Sequence, residues 1–221
     1  MSSIMRGITI AALAVATAAS AVAAQTRQGQ NRDDVWYFGG QGGVHLFRTP
    51  SQTQAGIVAF GGNVMIKAKR GGLLLSVDQS FGDNETSSFI DTLTFTNNAV
   101  VFDGIRRYQA VLMAFPANWN VDPYFGAGVG IMQTTGTQLA TPPADPISGA
   151  VLQDMADDAG STAYGTLLLG MQIRANRFVI FGEGQIQTKP GSDKLIRGSS
   201  YALQAGLRIG LGGRKYTNAS R

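Results

Sequence analysis

Two regularities, laid over one another, constrain this chain more than any single motif does. Residues alternate between apolar and polar with a period of two in segment after segment, and the links between those segments are short and long in turn. The last segment shows the alternation most plainly. Tyr201, Leu203, Ala205, Leu207, Ile209 and Leu211 share one face, while Ala202, Gln204, Gly206, Arg208 and Gly210 share the other. A period of two belongs to β-strands, in which successive side chains leave opposite faces. Phe125, Ala127, Val129 and Ile131 repeat the pattern against Gly126, Gly128 and Gly130. Leu167, Leu169, Met171 and Ile173 repeat it against Thr166, Gly170, Gln172 and Arg174. Helical periodicity is weak beyond the N-terminus.

Read this way, the strands are Val35–Phe47, Ala55–Ala68, Leu73–Phe81, Val101–Phe115, Pro123–Gln133, Ala163–Arg174, Phe178–Thr188 and Tyr201–Leu211. The links Lys69–Gly72, Asn118–Asp122 and Ala175–Arg177 are tight, and those at Arg48–Gln54, Gly82–Ala99, Thr134–Gly160 and Lys189–Ser200 are longer and polar. A soluble sandwich has no reason to sort its connections by end. A membrane barrel does, with short turns on the periplasmic side and long loops outside. No apolar stretch after residue 24 is long enough for a membrane helix, and a closed barrel is the other structure that satisfies its backbone in lipid. The expected fold is therefore all-β, an eight-stranded antiparallel up-and-down transmembrane β-barrel. By parity, Trp36, Phe38, Phe125 and Phe178 face lipid near the periplasmic end, and Phe81, Phe102 and Tyr201 near the outer end, as two aromatic girdles.

The ends fit export to a bacterial outer membrane. Residues 1–24 combine a short basic start, an apolar run from Ile8 to Ala19 and a small-residue exit at Ala21–Ala24, the form of a cleaved signal peptide. Residues 25–221 then form one barrel domain, with a short periplasmic N-terminal segment and a polar tail from Gly212 to Arg221. With no cysteine, disulfide and thiolate chemistry are excluded. The formal charge of +4 is spread along the chain, so no basic patch predicts a nucleic-acid partner. The 29 glycines follow no collagen period, and 44% hydrophobic residues argue against disorder.

The segment Pro123-Tyr124-Phe125-Gly126-Ala127-Gly128-Val129-Gly130 and the final strand Gln204-Ala205-Gly206-Leu207-Arg208-Ile209-Gly210-Leu211 resemble strands of the small outer-membrane β-barrel proteins of the OmpA/OmpX type. The resemblance implies that Gln204, Gly206, Ile209 and Leu211 form a C-terminal assembly signal read by the barrel assembly machinery. Such barrels commonly end on an aromatic residue, whereas here a polar tail continues past Leu211. The implied partners are outer-membrane lipids, lipopolysaccharide and the assembly machinery, with the protein a monomer and no cofactor.

The side chains with the most chemistry are those expected inside. Lys67, Asp78, Arg107, Arg174, Glu183 and Arg208 share the inward parity, and charges in a narrow lumen must pair, because an isolated buried charge is expensive. Glu183 and Arg208, on neighbouring strands, are the foremost pair. They either lock the lumen or gate a narrow aqueous path, and eight strands leave an interior about filled by side chains. His45, the single histidine, reads as a lumen residue near the outer end. The rival reading makes it the base of a lipid-modifying hydrolase, an enzymatic role that no second motif supports. Asp145, Asp154, Asp157 and Asp158 form an acidic loop whose spacing matches no calcium motif, so no metal site is expected. Gly126, Gly128 and Gly130 open no helix, so they read as room in a crowded wall and not as a nucleotide loop. The function expected is structural or surface-interacting, with a small-solute channel as the alternative.

Overall fold

A computed structural model describes residues 35–52, 55–68, 70–90, 96–116, 121–175, 177–188 and 194–211. The signal-peptide region and the polar tail lie outside the described residues. In chain order the elements are β1 (Val35–Phe47), β2 (Ala55–Lys67), β3 (Gly71–Ile90), β4 (Asn97–Ala114), β5 (Val121–Thr135), a two-residue spur β6 (Gln138–Leu139), helix α1 (Pro146–Gly160), β7 (Ser161–Ala175), β8 (Phe178–Thr188) and β9 (Ser200–Leu211).

Eight of these strands form the wall. Each pairs antiparallel with its neighbours, in the order β3-β2-β1-β9-β8-β7-β5-β4, and β4 pairs back onto β3. The seam between the first and last strands runs from Trp36 opposite Leu211 to Leu46 opposite Tyr201. The fold is therefore a closed antiparallel barrel, with no free edge to aggregate or to meet lipid unsatisfied. Alternation determines what faces where. On β2 the side chains of Ile57, Ala59, Asn63, Met65 and Lys67 are buried, whereas Val58 and Phe60 lie exposed. The outer wall carries a continuous apolar belt: Leu169 is 70% exposed, Met171 62% and Leu203 60%. A belt of that extent is untenable in water and is what a lipid-facing wall requires.

The structure corrects the sequence reading at the outer end in three places. The segment 82–99, expected as a loop, is mostly strand: β3 runs for 20 residues and β4 for 18, so the pair projects past the wall as a hairpin. The link 134–160 contains α1, although no helix was expected there. Pro146 opens it and Asp145 caps it, accepting hydrogen bonds from the Ser148 N–H at 2.9 Å and the Ser148 hydroxyl at 2.6 Å.

The third correction concerns Phe102, assigned to the outer aromatic girdle but fully buried. Phe102 and Ile105 are three residues apart and both point inward, which strict alternation forbids. An irregularity intervenes: the β3–β4 register shifts between Phe81 and Glu85, where Asn84 takes a φ of 54°. A bulge of this kind turns the parity of everything beyond it. The other six girdle residues, Trp36, Phe38, Phe81, Phe125, Phe178 and Tyr201, are all exposed on the wall.

Candidate functional site

Inward-facing residues from all eight wall strands meet in the lumen, and they fill it in layers. At the short-turn end, the periplasmic end in outer-membrane barrels, Lys67 and Arg174 converge on Asp122. Lys67 Nζ lies 3.2 Å from an Asp122 carboxylate oxygen, and the Arg174 guanidinium pairs with the same oxygen. Above them lies an apolar layer that includes Tyr37, Met65, Leu74, Met113, Phe115 and Tyr124. The middle is polar. A second apolar layer, with Phe47, Ile57, Phe102, Ile105, Met132 and Ile196, closes the long-loop end.

The polar middle is one connected network, because each inward carboxylate is reached from several strands. Asp78 and Arg107 face each other directly across β3 and β4, with both side chains fully buried and 3.2 Å between Arg107 Nη2 and Asp78 Oδ2. Gln41 donates to the other Asp78 oxygen and accepts from Asn63 Nδ2 at 2.6 Å, and Asn63 Oδ1 accepts from Arg208 Nε at 2.8 Å. Arg208 Nη2 stands 3.6 Å from Glu183 Oε2, which also accepts from the Tyr124 hydroxyl at 2.8 Å. The Glu183–Arg208 pair is diagonal: Glu183 lies opposite Gln204 and Arg208 opposite Val179, so the guanidinium reaches along its strand. It does so lying 3.5 Å over the ring of Phe181, where the apolar face and cation–π attraction offset part of its desolvation.

The glycines of β5 make room for this filling. A Cβ at Gly128 would run into the Ala110 carbonyl, and one at Gly130 into the ring of Tyr164. Gly130 shrinks so that the Tyr164 side chain of β7 can lie across it, and Gly128 so that the backbone of β4 can approach closely.

Asp122 is the residue that sequence reading missed. It closes the tight link in the strand assignment, yet it shares parity with Tyr124 and Gly126, and extending the strand by one residue would have placed it inside. Of the proposed assembly residues, Gln204 is buried in the network, accepting from Gln185 Nε2 at 3.1 Å, while Ile209 and Leu211 face outward. Gly206 abuts the Gly40 carbonyl, leaving no space for a Cβ.

His45 is fully buried, and its Nε2 lies 3.2 Å from Gln187 Oε1. Ser200 donates to that same oxygen at 2.9 Å. A carboxamide therefore stands between the hydroxyl and the imidazole, where a nucleophile and its base would need to touch. The acidic residues are spread along α1: beyond the cap at Asp145, Asp157 accepts from Gln153 Nε2 at 3.2 Å. Among the described residues, no cluster of three or more His, Asp or Glu is positioned to hold a metal.

Beyond the outer apolar layer the connections fold into a cap. Phe89 and Val100 of the projecting hairpin, Ala156 of α1 and Leu195 form a third apolar cluster. Hydrogen bonds tie it down: the Ser87 hydroxyl donates to the Leu195 carbonyl at 2.7 Å, and the Leu195 N–H to the Ala159 carbonyl at 3.1 Å. Ile196, the next residue, turns down into the barrel mouth.

No family model and no curated protein matches the sequence. Solved structures align with the chain, one of them with a TM-score above 0.5. The crystal structure of Neisserial surface protein A aligns with a TM-score of 0.53 at 10% identity, covering 79% of this chain and 96% of its own. The outer membrane protein OprG from Pseudomonas aeruginosa aligns with a TM-score of 0.47 at 12% identity, covering 81% of this chain and 98% of its own. The chain has the fold of a small outer-membrane β-barrel. A closed barrel with this apolar belt belongs in the bacterial outer membrane. There the layered lumen lies within the membrane and the cap stands at its outer end.

Proposed function

We propose that this protein is a structural and surface-interaction component of the outer membrane, presenting a folded cap outside the cell on a barrel that does not conduct. The observation that supports the reading is the pair of apolar layers bracketing the polar lumen, with Ile196 seated in the outer one. An ion would have to lose its water to pass either layer. The cap offers the contact surface: Ile147 and Val151, four residues apart on α1, stand exposed on its free half. In this reading the barrel is a monomer among outer-membrane lipids and lipopolysaccharide, and its final strand is what the assembly machinery recognises. The test is single-channel recording of the refolded protein in planar bilayers. Silent membranes are expected, and reproducible conductance steps would overturn the sealed-lumen reading.

One observation favours a second reading, a narrow pore. Arg107 Nε and Nη1 and Arg208 Nη1 are buried without a hydrogen-bond partner among the described residues, and water in the lumen would satisfy them. A pore predicts steps that Glu183→Ala alters or abolishes. The hydrolase reading requires His45→Ala to change the membrane's lipid profile, and we expect that profile to stay the same.

A further inference from the structure

The strongest unassigned feature lies where the outer rim of β1 and β9 meets the lipid-facing wall below it. Arg48 follows the last residue of β1, and Arg197 lies three residues before β9, so the seam brings the two together. The Arg197 N–H donates to the Arg48 carbonyl at 2.9 Å. Beside them Thr49 and Gln52 close a small turn: the Thr49 N–H donates to the Gln52 carbonyl, and the Gln52 N–H to the Thr49 hydroxyl oxygen at 3.0 Å. The Thr49 hydroxyl donates in turn to the Thr86 carbonyl of the projecting hairpin at 2.7 Å. Between these segments is a recess of about 380 Å³ with Arg48, Ser51, Gln52 and Arg197 on its walls and no carboxylate among its lining residues. Neither arginine joins an ion pair among the described residues, and Arg197 Nε is buried with no hydrogen-bond partner. Two cations held together with no counter-anion among the described residues select an anion from outside, and the guanidinium fork matches phosphate best.

The wall of the same sector holds a second feature. Gly42, Ala205, Gly182 and Met171 lie in one row across β1, β9, β8 and β7. Three small residues in succession thin the wall there. The result is an apolar groove of about 730 Å³, floored by Gly182 and Gly184 and flanked by Leu203 on one side and Leu169 and Met171 on the other. The floor is open: a Cβ built at Gly182 would meet nothing nearer than 4.0 Å, and one at Gly184 only the Leu203 side chain at 3.6 Å.

The spacing joins the two. From Gly42 to Arg48 is six residues along the strand, about 20 Å, and a strand tilt of about 40° reduces that to a height of about 15 Å. Half of a hydrocarbon core of about 30 Å is the same length. With the arginines at the headgroup boundary, the groove floor lies at mid-bilayer, one acyl chain below.

We propose that the seam rim and the groove together bind one phosphorylated acyl lipid of the outer leaflet, its phosphate on Arg48 and Arg197 and an acyl chain along Gly182 and Gly184. Inorganic phosphate gains nothing from the groove, and an uncharged lipid gains nothing from the arginines. The inference rests on the membrane-spanning wall and is independent of whether the lumen conducts.

The test is native mass spectrometry of the folded, detergent-solubilised barrel with dimyristoyl phosphatidic acid, and with dimyristoylglycerol and inorganic phosphate as separate arms. The wild type is expected to retain phosphatidic acid over diacylglycerol by about tenfold, the worth of one good charge-assisted contact. Arg48→Gln with Arg197→Gln should erase that preference. Gly182→Leu, and separately Gly184→Leu, should fill the groove and lower retention of phosphatidic acid with both arginines intact. Heat-modifiable mobility on a detergent gel establishes that each variant is folded. Equal retention of phosphatidic acid by wild type, the arginine pair variant and both groove variants would overturn the proposal. So would inorganic phosphate being held as tightly as the lipid, or diacylglycerol being retained as well as phosphatidic acid.

Discussion

The Asp78–Arg107 pair gives the sharpest test of how the lumen is held together. Asp78→Asn keeps the shape of the side chain and removes its charge. The consequence depends on what surrounds Arg107, whose side chain is fully buried and whose Nε and Nη1 have no protein partner. A guanidinium in that position loses the carboxylate that pairs with it, and breaking a buried pair from one side costs about 3–5 kcal/mol. Gln41 would keep a hydrogen-bond partner in the new amide, so the loss should be electrostatic. Urea titration of the barrel in lipid vesicles, followed by the gel shift between folded and unfolded forms, reads it directly. With a slope of about 2 kcal/mol per molar, the midpoint should fall by about 1.5–2.5 M. The decisive comparison is the double variant Asp78→Asn with Arg107→Met, which removes the stranded charge at similar volume. Replacing both partners of a buried pair is often close to neutral, so the double variant should recover most of the loss. A single variant within about 0.5 kcal/mol of wild type would mean that the lumen is wet enough to screen Arg107, and a double variant no better than the single would mean that packing, not charge, is what Asp78 supplies.

Other positions separate wall, lumen and cap. Phe102→Ala should destabilise the barrel by about 3–5 kcal/mol because it empties the outer apolar layer, whereas Phe81→Ala, on the lipid face, should cost clearly less; equal losses in urea titration would put Phe102 back in the girdle. Gly130→Val should impair folding, since its side chain must displace the Tyr164 ring and crowd the Tyr108 carbonyl, and Gly130→Val with Tyr164→Ala should recover part of the loss, read as the fraction with shifted mobility. Hydrogen bonds from Ser148, chiefly through its side chain, hold the Asp145 carboxyl below its ordinary value of 3.8. A depressed folded pKa means a stabilising term complete above about pH 4 and lost as pH falls through the folded value, so amide exchange in the first turn of α1 should quicken there. Asp145→Ala should show the fast exchange at every pH, and unchanged protection in that variant would remove Asp145 as the cap.

What could be read from the sequence was, in large part, what lipid had written into it. β1 and β8 end where the period-two pattern ends, at Phe47 and Thr188, because inside the bilayer every second residue must be apolar. Past the bilayer that demand stops. Asn84-Glu85-Thr86-Ser87-Ser88 is as much a strand as the wall is, but it has no lipid face, so nothing apolar recurs to announce it. Helix α1 is obscured for a related reason. Its packed face, with Leu152 and Ala156, covers one half of its length, while Ile147 and Val151 stand exposed on the other, and no single apolar stripe results. Asp145-Pro146 was the legible sign, a capping residue followed by a proline at the first helical position.

The lumen shows the same limit in another form. Parity says which side chains point inward, and it brought Lys67, Asp78, Arg107, Arg174, Glu183 and Arg208 to one interior. It does not give register, because a strand can slide by two residues and keep every face. Asp78 and Arg107 meet head-on, Glu183 and Arg208 meet only on a diagonal, and Lys67 and Arg174 share a carboxylate one residue outside the strand that was read. Register in a closed barrel is a property of the whole ring, fixed when β9 closes on β1, so no pair of segments carries it alone. Phe102 is the local case: the β3–β4 bulge turns its parity, and that bulge exists because two strands that leave the bilayer no longer have to keep step.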